Sequence, residues 1–351
     1  MIAEPRPELR GVAPYLSPQH DVVARLNTNE SAHPLPEQFT DELSRAVRDL
    51  TLNRYPDGHI SRFREDLAAH AGHTTDGTWV ANGSNEILAQ LLLAYGGPGR
   101  RALTFEPTYL LYSRLSWLTH TEHVAVGLQE PFVIDRAAVA DAVAAAPHVV
   151  FVCSPNNPTG NAQPLSAIES LVAELPETLV IVDQAYIEFG GRSALPLIEK
   201  NPSVVVVRTF SKAFSLAGAR IGYALAAPEV VGDLQRVRLP YIVSSLTQAA
   251  GIAALKHSRE ATGILQAIRG ERDRLMVELR AMPGFTVFES EANFVLFVPP
   301  MPADLVWKML LDRGVLVRDM SAVVPNALRV TAGAAHEVDL FLRSLREVLS
   351  Q

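Results

Sequence analysis

Short apolar runs, most of them rich in valine, alternate with longer helical stretches through the middle of the chain. The runs at 101–105, 148–153, 178–183, 203–208 and 221–226 are close to continuously hydrophobic, so strands built from them must be covered on both faces. Loops bound each run and helical stretches lie between them. This order predicts an α/β architecture in which helical crossovers join the buried strands of a mostly parallel sheet.

The flanks read differently. About the first thirty residues are rich in Pro, Asn and Glu and predict an irregular arm leading into a helix near 37–50, after which Tyr55-Pro-Asp-Gly58 marks a turn. A stretch from about 246 to 282 has few breakers and predicts one long helix bridging two domains. Beyond it, apolar runs at 285–289, 293–298, 315–318 and 328–331, with helices near 303–313 and from Ala335 onward, predict a smaller α+β domain. The expected division is a large domain at 29–255 and a small domain made of 256–351 together with the N-terminal arm, 1–28.

Composition narrows the partners. A length of 351 residues with 48% hydrophobic and 20% charged side chains leaves room for a large core in an ordinary globular enzyme. The net charge of -7 carries no basic block, which argues against nucleic acid or an anionic membrane surface as a partner. Cys153 is the only cysteine, so no internal disulfide can form and a reducing compartment is expected. No basic-then-apolar leader opens the chain, and no apolar run approaches the roughly 18 residues of a membrane span. The chain therefore reads as cytoplasmic and unprocessed.

Polar residues gather where the apolar runs end. Ser154 to Gly160, Asp183 with Tyr186, and Thr209 to Lys212 each follow a predicted strand, and the carboxyl ends of strands line the ligand crevice of an open parallel sheet. Lys212 is the most informative of these, because a desolvated amine in such a place can form a Schiff base with an aldehyde. We read that aldehyde as pyridoxal 5'-phosphate. Asp183 would hold the pyridine nitrogen protonated by charge pairing, and Asn157 and Tyr186 would hydrogen-bond the ring's phenolic oxygen. Gly83, Ser84 and Asn85 open a predicted helix whose free N–H groups suit the phosphate, with Thr209, Ser211 and Arg220 completing the cradle. Tyr109 is placed to stack on the ring. Each residue alone has a plainer reading: a loop cap for Asp183, a snorkelling side chain for Lys212, an N-cap for Ser84, core or rim positions for the tyrosines. One cofactor accounts for the whole set.

The motifs Ser154-Pro-Asn-Asn-Pro-Thr-Gly160, Asp183-Gln-Ala-Tyr186 and Thr209-Phe-Ser-Lys-Ala-Phe214 with Gly218-Ala-Arg220 fall in an order and spacing that resembles the fold-type I pyridoxal-phosphate aminotransferases. The resemblance runs from about residue 26 to residue 333. It implies a large domain with a mostly parallel, seven-stranded-type sheet flanked by helices, plus a smaller α+β domain. It also implies transamination by a ping-pong route with Lys212 as both anchor and general acid/base, supported by Asp183 and Tyr186.

Further stretches are most similar to the histidinol-phosphate aminotransferases within that family: Leu26-Asn-Thr-Asn-Glu30, Asn53-Arg-Tyr-Pro56, Pro240-Tyr-Ile-Val-Ser-Ser-Leu-Thr-Gln248, Ala292-Asn-Phe294, Val317-Arg-Asp319 and Leu328-Arg-Val330. Aromatic-amino-acid aminotransferases share much of this signal. The resemblance implies that Tyr55 reaches the cofactor phosphate of a neighbouring subunit, and hence a homodimer with shared active sites. Arg329 would receive the substrate's anionic group and Arg318 assist with a phosphate or distal carboxylate, while Tyr15 and Asn157 would add substrate contacts. The substrates implied are a small-molecule amino donor and a 2-oxo acid acceptor, histidinol phosphate and 2-oxoglutarate, in histidine biosynthesis. Two departures stand out: Asn85 replaces the aspartate of many relatives, and the run Asn29 to Pro34 is looser than the usual turn.

An aromatic-amino-acid aminotransferase, or a pyridoxal-phosphate decarboxylase of a phosphorylated amino acid, would share this scaffold. A regulator built on the same fold would need an attached DNA-binding helix pair, for which the arm has no room. There is no phosphate-binding Gly-x-x-x-x-Gly-Lys-Ser/Thr loop and no Gly-x-Ser-x-Gly elbow. His120-Thr-Glu-His123 lacks the helical spacing of metal ligands and reads as a solvated face, so no metal is expected. Cys153 reads as a small core residue.

Overall fold

The computed structural model describes residues 3–4, 6–9, 12–14, 18–259 and 261–350. Its largest element is a seven-stranded sheet in the spatial order Thr78–Ala81, Gly222–Leu225, Val204–Thr209, Leu179–Asp183, Val149–Cys153, Arg101–Glu106, Glu122–Gly127. Every neighbouring pair is parallel except the two made by Gly222–Leu225, which runs antiparallel to both its neighbours. The mostly parallel α/β sheet expected from the sequence is present.

The valine runs explain why it holds. Along Val204, Val205, Val206 and Val207, all fully buried, alternate side chains enter two different cores on opposite faces of the sheet. The neighbouring strand does the same, with Val180 and Val182 on one side and Leu179 and Ile181 on the other. Each such side chain removed from water contributes roughly 1.5–3 kcal/mol, so the central strands alone are a large share of the driving force. Helices Ser84–Tyr95 and Pro228–Val237 cover one face; Ser61–Ala71, Arg136–Ala144, Leu165–Glu174 and Ser245–Lys256 cover the other.

The C-terminal part builds a second core around an antiparallel sheet of order Arg318–Asp319, Leu328–Thr331, Phe294–Val298, Thr286–Val287. Helices Ala261–Arg280, Ala303–Leu311 and Ala335–Leu349 pack on it. The N-terminal strand Ala24–Arg25 pairs in parallel with Val315–Leu316, and Ala24 and Leu26 enter this second core.

Two expectations need correction. The single helix predicted over 246–282 is two helices, Ser245–Lys256 and Ala261–Arg280. The first buries Ala250, Ala253 and Ala254 in the large core, the second buries Ile268, Leu275 and Leu279 in the small one. The chain must turn between two cores, so tertiary packing breaks what local propensity would have continued. The apolar run at 315–318 is likewise two short strands in two sheets, Val315–Leu316 and Arg318–Asp319. Glu122 and His123 are exposed, as expected of a solvated face, and they begin the edge strand Glu122–Gly127, which the sequence pattern missed along with Thr78–Ala81.

Helix Ser245–Lys256 meets helix Ser61–Ala71 at a glycine. A Cβ on Gly251 would lie 2.2–2.7 Å from the ring atoms of Phe63, which is fully buried and edge-on to Phe210 at 6.1 Å. Gly251→Ala gains up to about 1 kcal/mol of helix propensity but overpacks a core that cannot yield, at a cost of about 1–3 kcal/mol. We expect a net loss of stability in urea unfolding; a midpoint at or above the wild-type value would show that Phe63 has room to move.

Candidate active site

The carboxyl ends of the central strands open into a cavity of about 380 Å³ lined by Lys212, Asp183, Tyr186, Asn157, Ser84, Asn85, Tyr109, Thr209, Ser211, Arg220, Arg318 and Arg329. Parallel register puts Cys153 directly opposite Asp183, and antiparallel register puts Thr209 opposite Gly222, so residues far apart in sequence meet at one end of the sheet. Gly83 does not line the cavity itself but stands behind it. Tyr55 is elsewhere: it is 80% exposed and stacked on Tyr241 with ring centroids 4.5 Å apart. Tyr15 lies outside the described residues.

Burial sets the electrostatics at the centre. Lys212 Nζ donates to the carbonyl of Thr28 at 3.0 Å and lies 5.8 Å from the centre of the Tyr186 ring. Loss of water, reinforced by the charges of Arg329 and Arg220 and opposed by Glu30, brings this amine down to about 7. A large neutral fraction at neutral pH makes it a nucleophile and a proton acceptor. The same loss of water pushes Asp183 up to about 6, although two hydrogen bonds pull the other way. Its Oδ2 accepts from the Tyr112 hydroxyl at 2.8 Å and its Oδ1 from the Ala185 N–H at 3.1 Å. The Cys153 thiol is driven to about 12 by burial and the Asp183 charge, which keeps it neutral at the cavity wall.

The end of the cavity facing Arg220 is built for an anion. Helix Ser84–Tyr95 points its N-terminus there, and Thr209 Oγ1 and Ser211 Oγ stand 2.9 Å apart beside it. Arg220 Nη1 donates to Ser211 Oγ at 3.4 Å and to the Ala217 carbonyl at 3.1 Å, from a left-handed backbone with φ 53. A Cβ on Gly83 would lie 2.5 Å from Arg220 Nη2, and one on Gly222 would lie 2.2 Å from the Ser84 nitrogen. Both glycines are thus required for the backbone and the guanidinium to close this cradle.

A second cationic patch faces it. Arg318 and Arg329 are direct partners across antiparallel strands and share one face of the sheet. Like charges so placed repel unless an anion lies between or above them. Arg329 also donates to Asn157 Oδ1 and, at 3.0 Å, to the Asn27 carbonyl, with its guanidinium 5.0 Å above the Phe294 ring. A planar fork held on this many sides is pre-oriented for a carboxylate or phosphate.

This donor set fits pyridoxal phosphate. The glycine-lined cradle can take the phosphate, Asp183 the ring nitrogen, Asn157 and Tyr186 the phenolic oxygen and Lys212 the aldehyde, with the Tyr109 ring at the cavity wall. Sequence reasoning missed three residues that organise the site. Tyr112 is fully buried, stacks on Phe151 at 4.6 Å and holds Asp183; its spacing of three from Tyr109, across the start of helix Leu111–Leu118, was the available signal. Asn29 donates to the Tyr186 hydroxyl, and Thr331 is hydrogen-bonded to Asn29.

Comparison with known proteins gives a consistent result. The profile of the family described as aminotransferase class I and II matches residues 21–345. The histidinol-phosphate aminotransferase of Frankia casuarinae is 46% identical over 360 residues, covering 98% of this chain and 90% of its own. That of Thermobifida fusca is 46% identical, covering 97% of this chain and 94% of its own. Among solved structures, the histidinol-phosphate aminotransferase of Sinorhizobium meliloti in complex with pyridoxal-5'-phosphate superposes with a TM-score of 0.89 at 25% identity, covering 100% of this chain and 98% of that one.

Asp183 carries a measurable signature in the cofactor-free protein. Its carboxyl ionises near 3.8 when unfolded and at about 6 when folded. A raised folded value means that the group's contribution is fully present below about pH 4 and is lost as pH rises to about 6, a change on the order of 3 kcal/mol. Wild type should therefore lose stability relative to Asp183→Asn across this window, as read by urea unfolding at a series of pH values. Tyr112→Phe removes one of the donors and should move the upper end of the window to higher pH. Parallel stability profiles for wild type and Asp183→Asn would show that Asp183 is not desolvated as described.

Proposed function

Because the chain belongs to the class I and II aminotransferases, we propose that it transfers an amino group between histidinol phosphate and 2-oxoglutarate, with pyridoxal phosphate as cofactor, in the biosynthesis of histidine. The observation that carries this reading is the cross-strand arginine pair, Arg318 and Arg329, opening into the same cavity as Lys212. Two adjacent forks can accept the phosphate of one substrate and the carboxylates of the other in turn. The two relatives named above, matched over nearly their whole length, support the same substrate.

Bound pyridoxal phosphate supplies an aldehyde that links to amines and an electron-withdrawing ring that delocalises charge from the substrate's α-carbon. In this reading Lys212 Nζ would anchor the cofactor and would take the proton from the substrate's α-carbon; burial has already lowered its proton affinity to suit that work. Asp183 keeps the ring nitrogen protonated, drawing on a carboxylate that Tyr112 and the Ala185 N–H hold in place. Asn157 and Tyr186 bind the phenolic oxygen, and Tyr109 stacks on the ring. Ser84, Asn85, Thr209, Ser211 and Arg220 hold the phosphate, with Gly83 giving the room.

The reading includes a homodimer. Tyr55 and Tyr241 form an exposed stack, with Leu52 at 63% and Leu239 at 73% exposure among the chain's other exposed apolar side chains. A second copy seated there would carry Tyr55 to its own cofactor phosphate. No helix among the described residues is long and apolar enough to cross a membrane, and a cytoplasmic location belongs to the same reading.

Three measurements test this. Lys212→Ala should bind cofactor without the yellow chromophore of the wild type and lose turnover by several orders of magnitude; full activity would sink the assignment. Arg329→Ala should weaken both donor and acceptor, whereas Arg318→Ala should mainly raise KM for histidinol phosphate, by about ten- to a hundredfold for one charged hydrogen-bonding partner. In half-reactions, the yellow enzyme mixed separately with histidinol phosphate, phenylalanine and glutamate should bleach quickly with the first and third. Fast bleaching by phenylalanine and not by histidinol phosphate would instead make this an aromatic-amino-acid aminotransferase.

A further inference from the structure

Asn29 is one of the most completely engaged residues in the protein. It is 1% exposed and held in a left-handed backbone conformation with φ 55, which asparagine tolerates better than most residues. Its N–H donates to Thr331 Oγ1 at 3.0 Å, its carbonyl accepts from Asn293 Nδ2 at 3.0 Å, and its side-chain oxygen accepts from Thr331 Oγ1 at 3.3 Å. Its Nδ2 then donates to the Tyr186 hydroxyl oxygen at 3.0 Å. Thr331 and Tyr186 are buried as well, 2% and 5% exposed.

These bonds have only one consistent direction. A backbone N–H can only donate, so Thr331 Oγ1 must accept from Asn29 and send its own proton elsewhere. The Asn29 side-chain oxygen is the acceptor in reach, which fixes the orientation of the amide. The NH₂ group therefore faces Tyr186, and the tyrosine oxygen is an acceptor at that contact. Reversing the amide would leave the Thr331 proton without an acceptor in a buried place. Among the described residues the Tyr186 hydroxyl has no other hydrogen-bond partner, and the residue lines the cavity beside Asn157.

We propose that Asn29 and Thr331 are positioning residues that polarise the Tyr186 hydroxyl, forcing its proton into the cavity, where it is donated to the phenolic oxygen of the bound cofactor. The inference rests on the cofactor reading above and extends it to two residues whose side-chain hydrogen bonds go to other protein groups. It also gives the small domain a direct line to the chemistry. Thr331 ends strand Leu328–Thr331 and Asn293 precedes strand Phe294–Val298, so the sheet of the C-terminal unit clamps Asn29, and through it sets the direction of a hydrogen bond from the large sheet's Tyr186.

The pH titration of the holoenzyme's visible absorbance reads this directly. A hydrogen bond donated to the phenolic oxygen withdraws charge from it and lowers the proton affinity of the conjugated nitrogen. Thr331→Val, isosteric and suited to a strand, leaves the amide free to turn and should raise the chromophore's apparent pKa by about half to one unit, the worth of one ordinary hydrogen bond. Thr331→Ser keeps the hydroxyl and should titrate as wild type. In a Tyr186→Phe background, Thr331→Val should add no further shift.

Asn29→Asp provides a second arm should Thr331→Val fail to fold. A carboxylate can only accept, so it draws the tyrosine proton back out of the cavity and should raise the apparent pKa. Most of that shift should vanish with Tyr186→Phe, leaving only the effect of the added charge. A folded Thr331→Val holoenzyme with an unshifted titration would overturn the proposal, as would a shift from either variant that persists undiminished without the tyrosine hydroxyl. A wild-type protein with no visible chromophore after incubation with pyridoxal phosphate would overturn the cofactor reading itself, and the proposal with it.

Discussion

The sheet that runs through the large core is buried on both faces, and the rest of the structure follows from that constraint. With helices packed above and below, the middles of the three central strands, Val149–Cys153, Leu179–Asp183 and Val204–Thr209, hold only apolar side chains, and their polar groups gather where the strands end. Asp183, Cys153 and Thr209 stand at those ends on three strands of the sheet. The cavity they border is open to ligands on one side and backed by a dry core on the other. Desolvation there raises Asp183 and lowers Lys212, two opposite shifts with one cause. Each leaves a group with less charge than it would carry in water. A ligand bearing a basic ring nitrogen, an aldehyde and a phosphate would supply partners for the polar groups that line the cavity.

The two glycines at the phosphate end show how tightly the fold and the site are joined. Gly222 belongs to the one antiparallel strand of the large sheet, and its backbone passes so close to the start of helix Ser84–Tyr95 that no side chain fits. The strand direction is what brings Arg220, two residues earlier, beneath that helix. Parallel pairing at this position would carry the arginine to the far end of the sheet. The antiparallel exception in a parallel sheet is thus a component of the anion site.

Much of this was legible in the sequence, for physical reasons that also explain what was not. The central strands are visible because burial on both faces forbids polar residues, and Lys212, Asp183 and Tyr186 stand out against such runs. The seven-stranded α/β sheet and the aminotransferase family could be read from those motifs. The edge strands Thr78–Ala81 and Glu122–Gly127 are shorter or half-exposed and lack that contrast. The break at His257 is invisible locally because no glycine or proline marks it; it exists because successive helices serve different cores. Tyr112, Asn29 and Thr331 were missed because their work is done on other residues. A side chain whose role is to orient another side chain leaves its signal in three dimensions, and in one dimension Tyr112 looks like any apolar helix position.

The uniform valine strands have a further consequence, for folding itself. In an alternating strand a slip by one residue exposes the apolar face and is rejected at once. In Val204 to Val207 the same slip exchanges one valine for another in both cores, and hydrophobicity alone scarcely registers the error. What distinguishes the correct register is the polar ends: Asp183 must stop beside Tyr112, and Thr209 beside Ser211 and the carbonyl of Ile221. The polar groups that line the cavity are therefore also the frame marks by which the strands are aligned. A sequence relieved of these polar ends would keep its core and lose part of its punctuation, so the residues that border the cavity also help to keep the reading frame of the fold.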